Sequence, residues 1–288
     1  MSLYRLRASR ELTAPVLVAA FDGWVDASGA SSSSVGHLAR DADVVATFDV
    51  DALVDLRARR PILDIVDGTL RELTWPELVV SATRAGERDL LVFGGAEPDF
   101  RWRELASDVR ELVLRLGVTE WISLGAIPAA VTHKHAVPVL ATASAPGLLH
   151  AGVVQGPEGL LRVPSAALSA IELAVSEAGI PTVGFYAQVP HYVAGPYPAA
   201  SVALLEHVGR QIGVPLPLEP LVEAAREHRA RLDAVVASQP EAQAYLEQLE
   251  ALHGAEERIP SGDEIAAELE RFLRESGGGE DPNPFGER

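Results

Sequence analysis

A chain of 288 residues with 41 acidic against 24 basic side chains carries a formal charge of −17, which repels nucleic-acid backbones and anionic membranes on average. Hydrophobic residues make up 48% and the mean hydropathy is +0.12, which excludes wholesale disorder, yet no apolar run approaches the roughly 18 residues of a spanning helix. Cysteine is absent, which removes disulfides, thiolate metal sites and cysteine nucleophiles.

The start, Met1 to Arg7, has no apolar signal core, so a soluble cytoplasmic protein with neither nucleic-acid nor membrane partners is expected. The first element is a short apolar run, Val16 to Phe21, followed by Asp22-Gly23-Trp24-Val25-Asp26 and then by small residues from Ala27. A buried strand feeding a helix packed on its own sheet has this pattern, and it opens an α/β fold. Asp43 to Phe48 reads as a second strand. Asp-Gly at 67–68, between Pro61–Val66 and Thr69–Leu73, predicts a hairpin with a type I′ turn, which interrupts the α/β alternation and favours a mixed sheet.

Asp89 to Phe93 is a further buried strand, ending at Gly94-Gly95-Ala96-Glu97-Pro98. From about Arg101 to Leu116 the stripe Leu105, Val109, Leu112, Val113 predicts a helix stopped by Gly117. Strands follow at 120–124 and 137–141, Pro138 placing the latter at an edge or at a strand start. A helix from about Pro164 to Gly179 and a strand at 182–187 come next, then a helix carrying Val202, Leu205, Val208 and Ile212. Composition changes at Gly213-Val214-Pro215. Residues 1–214 are expected to form the α/β core, 215–275 a helical extension and 276–288 a disordered tail. Ser261-Gly262-Asp263-Glu264 predicts a capping box opening a last helix.

In an open α/β sheet ligands bind beyond the carboxyl ends of strands, and the polar residues here gather after strands: Asp22, Asp26, Glu97, His133, His135, Glu158, His191 and Tyr192. These form the candidate ligand or partner surface. Asp26 is read as a helix cap that occupies the amides an anion would need, and Asp22 as a structural acceptor. The pair Asp49 and Asp51 can hold a divalent metal or join Arg57, Arg59 and Arg60 in a solvated ion-pair network. His133-Lys134-His135 puts two imidazoles on one side if extended, a spacing that metal sites use, although no third ligand is identifiable. Trp24, Tyr186, Tyr192 and Tyr197 are either partner anchors or core aromatics. No complete catalytic motif is present, so no catalytic residue, metal or cofactor is expected.

Taken together, Phe21-Asp22-Gly23-Trp24-Val25-Asp26-Ala27, the 48–61 segment with Asp49, Asp51, Asp55 and Arg60-Pro61, Gly94-Gly95 with Glu97-Pro98 and Trp102, Gly125-Ala126-Ile127-Pro128, Gly156-Pro157-Glu158-Gly159 and Val189-Pro190-His191-Tyr192 resemble the proteasome assembly chaperone 2 family, in its actinobacterial branch. The likeness spans about 16–275. It implies a three-layer, phosphorylase/hydrolase-like mixed α/β domain with a C-terminal helical extension. It also implies a non-enzymatic role on proteasome α subunits and homo-oligomers, with trimers as one form. A small-molecule hydrolase or phosphorylase-like enzyme using the strand-end pocket is the alternative. The chain departs from the family's Pro-His-Thr-Arg-Pro at Thr132-His133-Lys134-His135, and from a hydrophobic-tyrosine-any ending at Asn283 to Arg288.

Overall fold

The computed structural model describes residues 2–7, 11–156 and 159–256. In order, β1 (Tyr4–Leu6), β2 (Val16–Asp22), a 3-10 turn (Ala27–Gly29), α1 (Ala30–Leu38), β3 (Asp43–Phe48) and the single turn α2 (Val50–Leu53) open the chain. The hairpin β4 (Ile62–Val66) and β5 (Thr69–Thr74) precedes β6 (Leu78–Ala85), β7 (Arg88–Ala96), α3 (Trp102–Arg115) and β8 (Glu120–Ala129). Then come β9 (Val139–Ala143), β10 (Val154–Gln155), α4 (Ala167–Glu177), β11 (Thr182–Pro190), α5 (Pro198–Ile212), α6 (Glu219–Ser238) and α7 (Pro240–Glu256).

Alternation along β2 sets the three layers. Leu17, Ala19 and Phe21 belong to a core shared with α3 and α4, whereas Val16, Val18 and Ala20 belong to a second core shared with α1 and α5. A strand buried on both faces carries no polar phase, which is why Val16–Phe21 is uninterrupted. The sheet has nine strands in the order β1-β3-β6-β7-β2-β8-β11-β9-β10. At its centre β7, β2, β8 and β11 run parallel. Outside them β6 pairs antiparallel with β7, and β9 with β11.

The sheet is therefore mixed, as expected, but the hairpin is not the reason. β4 and β5 stand apart as their own two-stranded sheet with every residue exposed, and the mixing comes from the antiparallel pairs β1–β3, β3–β6, β6–β7 and β9–β11. The type I′ geometry holds, with Asp67 at φ 51° and Gly68 at 74°. Pro138 sits just ahead of β9, where its missing N–H costs nothing, and β9 lies between β11 and β10. Strands β1, β6 and β10 and the turn α2 go beyond the elements read from sequence.

Two compact units divide the chain, 1–238 and 239–288. In the first, α6 packs on α5, and Leu221 and Leu232 reach the second core. The second is described here by α7 alone; the capping box, the last expected helix and the tail lie outside the described residues, as does Glu158. Among the described residues no helix is long and apolar enough to cross a membrane.

Candidate functional site

Because β7, β2, β8 and β11 are parallel neighbours, whatever follows each of them leaves the same edge of the sheet. Glu97 follows β7, Asp22 ends β2, the 132–135 loop follows β8, and His191 and Tyr192 follow β11. Along this rim the candidate residues form two groups with separate partners.

In the first group Asp26 and Glu97 are spent on backbone amides and Asp22 on an arginine. Asp26 accepts from Ser31 N at 2.8 Å, Ser31 Oγ at 2.7 Å and Ser32 N at 3.1 Å, so it caps α1 across the 3-10 turn. Glu97 Oε2 accepts from Trp24 N at 2.7 Å and its Oε1 from Ala167 N at 2.9 Å, the first amide of α4. That bond explains why α4 begins at Ala167 rather than near Pro164. A Cβ on Gly23 would lie 2.6 Å from Glu97 Cβ, so only glycine leaves room for this carboxylate. Asp22 pairs with Arg59, whose Nη2 also donates to the Asp22 carbonyl oxygen at 2.7 Å. Of the acid–arginine cluster seen in sequence, Arg59 thus closes onto the end of β2 rather than onto Asp49 or Asp51.

Glutamine at 97 keeps one acceptor oxygen and loses the charge that favours a helix N-terminus. Glu97→Gln is expected to destabilise the fold by about 1–2 kcal/mol. Urea unfolding checks the loss, and faster amide exchange at Ala167 and Leu168 identifies its origin.

The second group is organised on His133, which is buried with 2% exposure. Its N–H donates to Tyr192 Oη at 2.9 Å, and its Nδ1 lies 2.7 Å from the same oxygen. The phenol therefore accepts from the backbone and donates to Nδ1, which leaves the proton on Nε2, 3.3 Å from Asp233 Oδ1 on α6. Lys134 Nζ pairs with the same carboxylate, and Arg229 Nη2 donates to the Lys134 carbonyl oxygen at 2.7 Å. Burial holds the His133 imidazole below its ordinary value, against the opposing pull of Asp233. The whole arrangement ties α6 to the loop after β8.

A turn at 133–134 buries His133 and leaves His135 exposed, so the extended alignment of the two imidazoles does not occur. His191 Nδ1 lies 2.9 Å from the Ala129 carbonyl oxygen. Among the described residues no three His, Asp or Glu side chains gather as a metal site. Of the aromatics, Tyr197 is buried, Tyr186 lies over Gly125 and Gly184, and Trp24 remains 69% exposed. Asp233 was missed from sequence because it is 100 residues from His133 in a helix full of similar charges; nothing local marks it.

A family model described as the PAC2 family matches residues 20–236. Among solved structures, a Mycobacterium tuberculosis protein of unknown function is 33% identical with a TM-score of 0.84, covering 89% of this chain and 92% of its own. A M. tuberculosis proteasome-assembly chaperone homologue is 33% identical with a TM-score of 0.73, over 80% of this chain and 99% of its own. A PAC2 family protein from Streptomyces avermitilis is 34% identical with a TM-score of 0.72, over 81% and 99%. No curated protein matches the chain.

Proposed function

We propose, for a chain that belongs to the PAC2 family, a non-catalytic role in proteasome assembly in the cytoplasm, in which the strand-end rim contacts unassembled proteasome α subunits. One observation carries the reading. A hydrogen-bonded turn of the rim presents an indole to solvent: the Trp24 amide is fixed by Glu97 while the residue is 69% exposed. A large aromatic on a pre-ordered backbone is the usual anchor of a protein interface, because little entropy is lost on docking. Asp22, His135 and His191 would supply its polar margin.

The hydrolase or phosphorylase reading needs an unengaged general base, a histidine or a carboxylate, and two of the rim's carboxylates do not supply one. Asp26 and Glu97 are both committed to backbone amides, and Ser31 Oγ donates to Asp26 rather than awaiting a base.

Self-association is part of the same proposal, with a homotrimer as the form suggested by the family resemblance. Its support is the exposed hairpin, whose two strands leave Ile65 59% and Leu70 68% accessible.

Mixing the full chain with unassembled α subunits and weighing the products by native mass spectrometry tests the partner. A complex is expected, and Trp24→Ala should weaken it at least about tenfold without changing the melting temperature. If the wild-type chain forms no complex, the reading is wrong; if Trp24→Ala binds as well as wild type, the rim is not the contact.

A further inference from the structure

Facing stripes of α5 and α6 leave a cleft of about 510 Å³ beside the 133–137 segment. On α5 the stripe is Val202, Ala203, Glu206, His207 and Arg210; on α6 it is Val222, Ala225, Arg226 and Arg229. Spacings of three and four residues put each set on one side of its helix. Alanines at 203 and 225 keep the walls apart, and with Val202 and Val222 they make one part of the lining apolar.

The charge of this lining is opposite to that of the molecule. Three arginines face one glutamate in a chain whose formal charge is −17. Arg210 is paired with Glu206 at 3.2 Å and Arg226 with Glu223 at 2.6 Å, each within its own helix and exposed. Such pairs contribute little in water, so an incoming anion can displace them. Arg229 donates one of its five N–H groups to the Lys134 carbonyl oxygen, which fixes the guanidinium at the cleft without using it up.

His207 adds a defined acceptor. His150 Nδ1 lies 2.9 Å from the Ala151 carbonyl oxygen and must carry its proton. Its Nε2 is then a lone pair that accepts from His207 Nδ1 at 2.9 Å, and His207 is left with an unprotonated Nε2. Burial first, and then His150 and Arg210, push this imidazole down to about 4, so it stays neutral at pH 7. A neutral base among guanidinium groups does not repel them.

We propose that this cleft binds a small organic oxyanion, whose phosphate or carboxylate is held by Arg210, Arg226 and Arg229 and whose apolar body lies against Val202, Ala203, Val222 and Ala225. The guanidinium fork matches either headgroup in two parallel hydrogen bonds, and the apolar lining favours a carrier over the inorganic ion. The binding needs no assembly role, although the 133–137 edge of the cleft continues from the strand-end rim.

Calorimetric titration of the full chain at low salt with phenyl phosphate, benzoate and neutral benzyl alcohol tests it. At least one anion should bind one to one, weaken as salt rises and exceed the alcohol at least about tenfold; whichever anion binds assigns the headgroup. Arg226→Gln should lower its affinity about tenfold, Ala203→Phe should abolish binding by filling the cleft, and Arg84→Gln, remote from it, should change nothing. Arg226 is exposed, so its variant remains decisive if Ala203→Phe disturbs packing. Binding by neither anion, equal binding of the alcohol, or an affinity untouched by Arg226→Gln would overturn the assignment.

Discussion

Gly95→Ala is expected to cost about 4 kcal/mol of stability, enough to leave much of the protein unfolded or insoluble. Gly95 is the next-to-last residue of β7 at φ 131°, a region that residues with a Cβ rarely enter. A Cβ there would overlap the Glu77 carbonyl oxygen and lie 2.7 Å from the Glu77 carbonyl carbon and 2.9 Å from Leu78 Cα, all of them backbone atoms. No rotamer change relieves such a contact; β6 must move away. The strain and the overlap each cost about 1–3 kcal/mol, and separating the strands also loosens the Ala96 N to Glu77 O bond of 2.8 Å. Because β7 leads directly into Glu97, displacement at Gly95 also reaches the bonds to Trp24 and Ala167. Thermal and urea unfolding of the soluble fraction measure the loss. Gly68→Ala, in the hairpin turn at φ 74° with nothing within 4 Å, isolates strain without overlap and is expected to cost about 1–2 kcal/mol. Equal losses at the two positions would mean that the Glu77 contact is not what makes Gly95 necessary.

What was legible in the sequence is what short-range chemistry decides. Asp-Gly at 67–68 specifies a turn because both positions need positive φ, and the hairpin is there. Asp26 as a cap follows from a carboxylate just ahead of small helical residues, and its bonds to Ser31 and Ser32 bear this out. The apolar stripe of α3 is buried as its spacing requires. The fold family itself emerged from a set of short motifs, most of them turns at the ends of central strands.

What was not legible depends on contacts between distant segments. β6 carries apolar residues at 78, 80 and 82, yet both its faces are covered, so the buried Ser81 falls where alternation calls for an exposed polar residue. The period is thereby blurred. Arg59 stands among three arginines in four residues, and only the approach of the 55–60 segment to the end of β2 selects it as the partner of Asp22. His133 looked like half of a metal-ligand pair; its partners are Tyr192 and Asp233, brought to it by β11 and α6. The cationic cleft was equally hidden, since Arg210 and Arg226 have ordinary helical ion-pair partners nearby in sequence and Arg229 is held by a carbonyl 95 residues away.

A double substitution on the hairpin, Ile65→Asp with Leu70→Asp, is expected to convert the proposed oligomer into monomers at every concentration where the wild type is assembled. Ile65 pairs with Leu70 and Leu63 with Leu73, so these four side chains share one face of the ribbon. The bulge between Asp64 and Ile65 shifts the register by one on β5, which keeps Glu72 opposite Asp64 on the other face. The result is an uncharged aliphatic face on a chain of charge −17, the kind of surface through which copies can meet without facing carboxylates. A two-stranded ribbon exposed on both sides is marginal by itself, so its order also calls for a partner surface. Covering four half-exposed aliphatic side chains contributes about 1 kcal/mol each, or about a thousandfold in association for every hairpin seated. Two buried carboxylates remove that gain and add a desolvation cost. Sedimentation velocity across a concentration series reads the change, and an unaltered melting curve shows that the α/β core is intact, since neither residue belongs to either core cluster. A wild-type chain that sediments as a monomer throughout would end the self-association proposal; an oligomer that survives both aspartates would move the interface away from the hairpin.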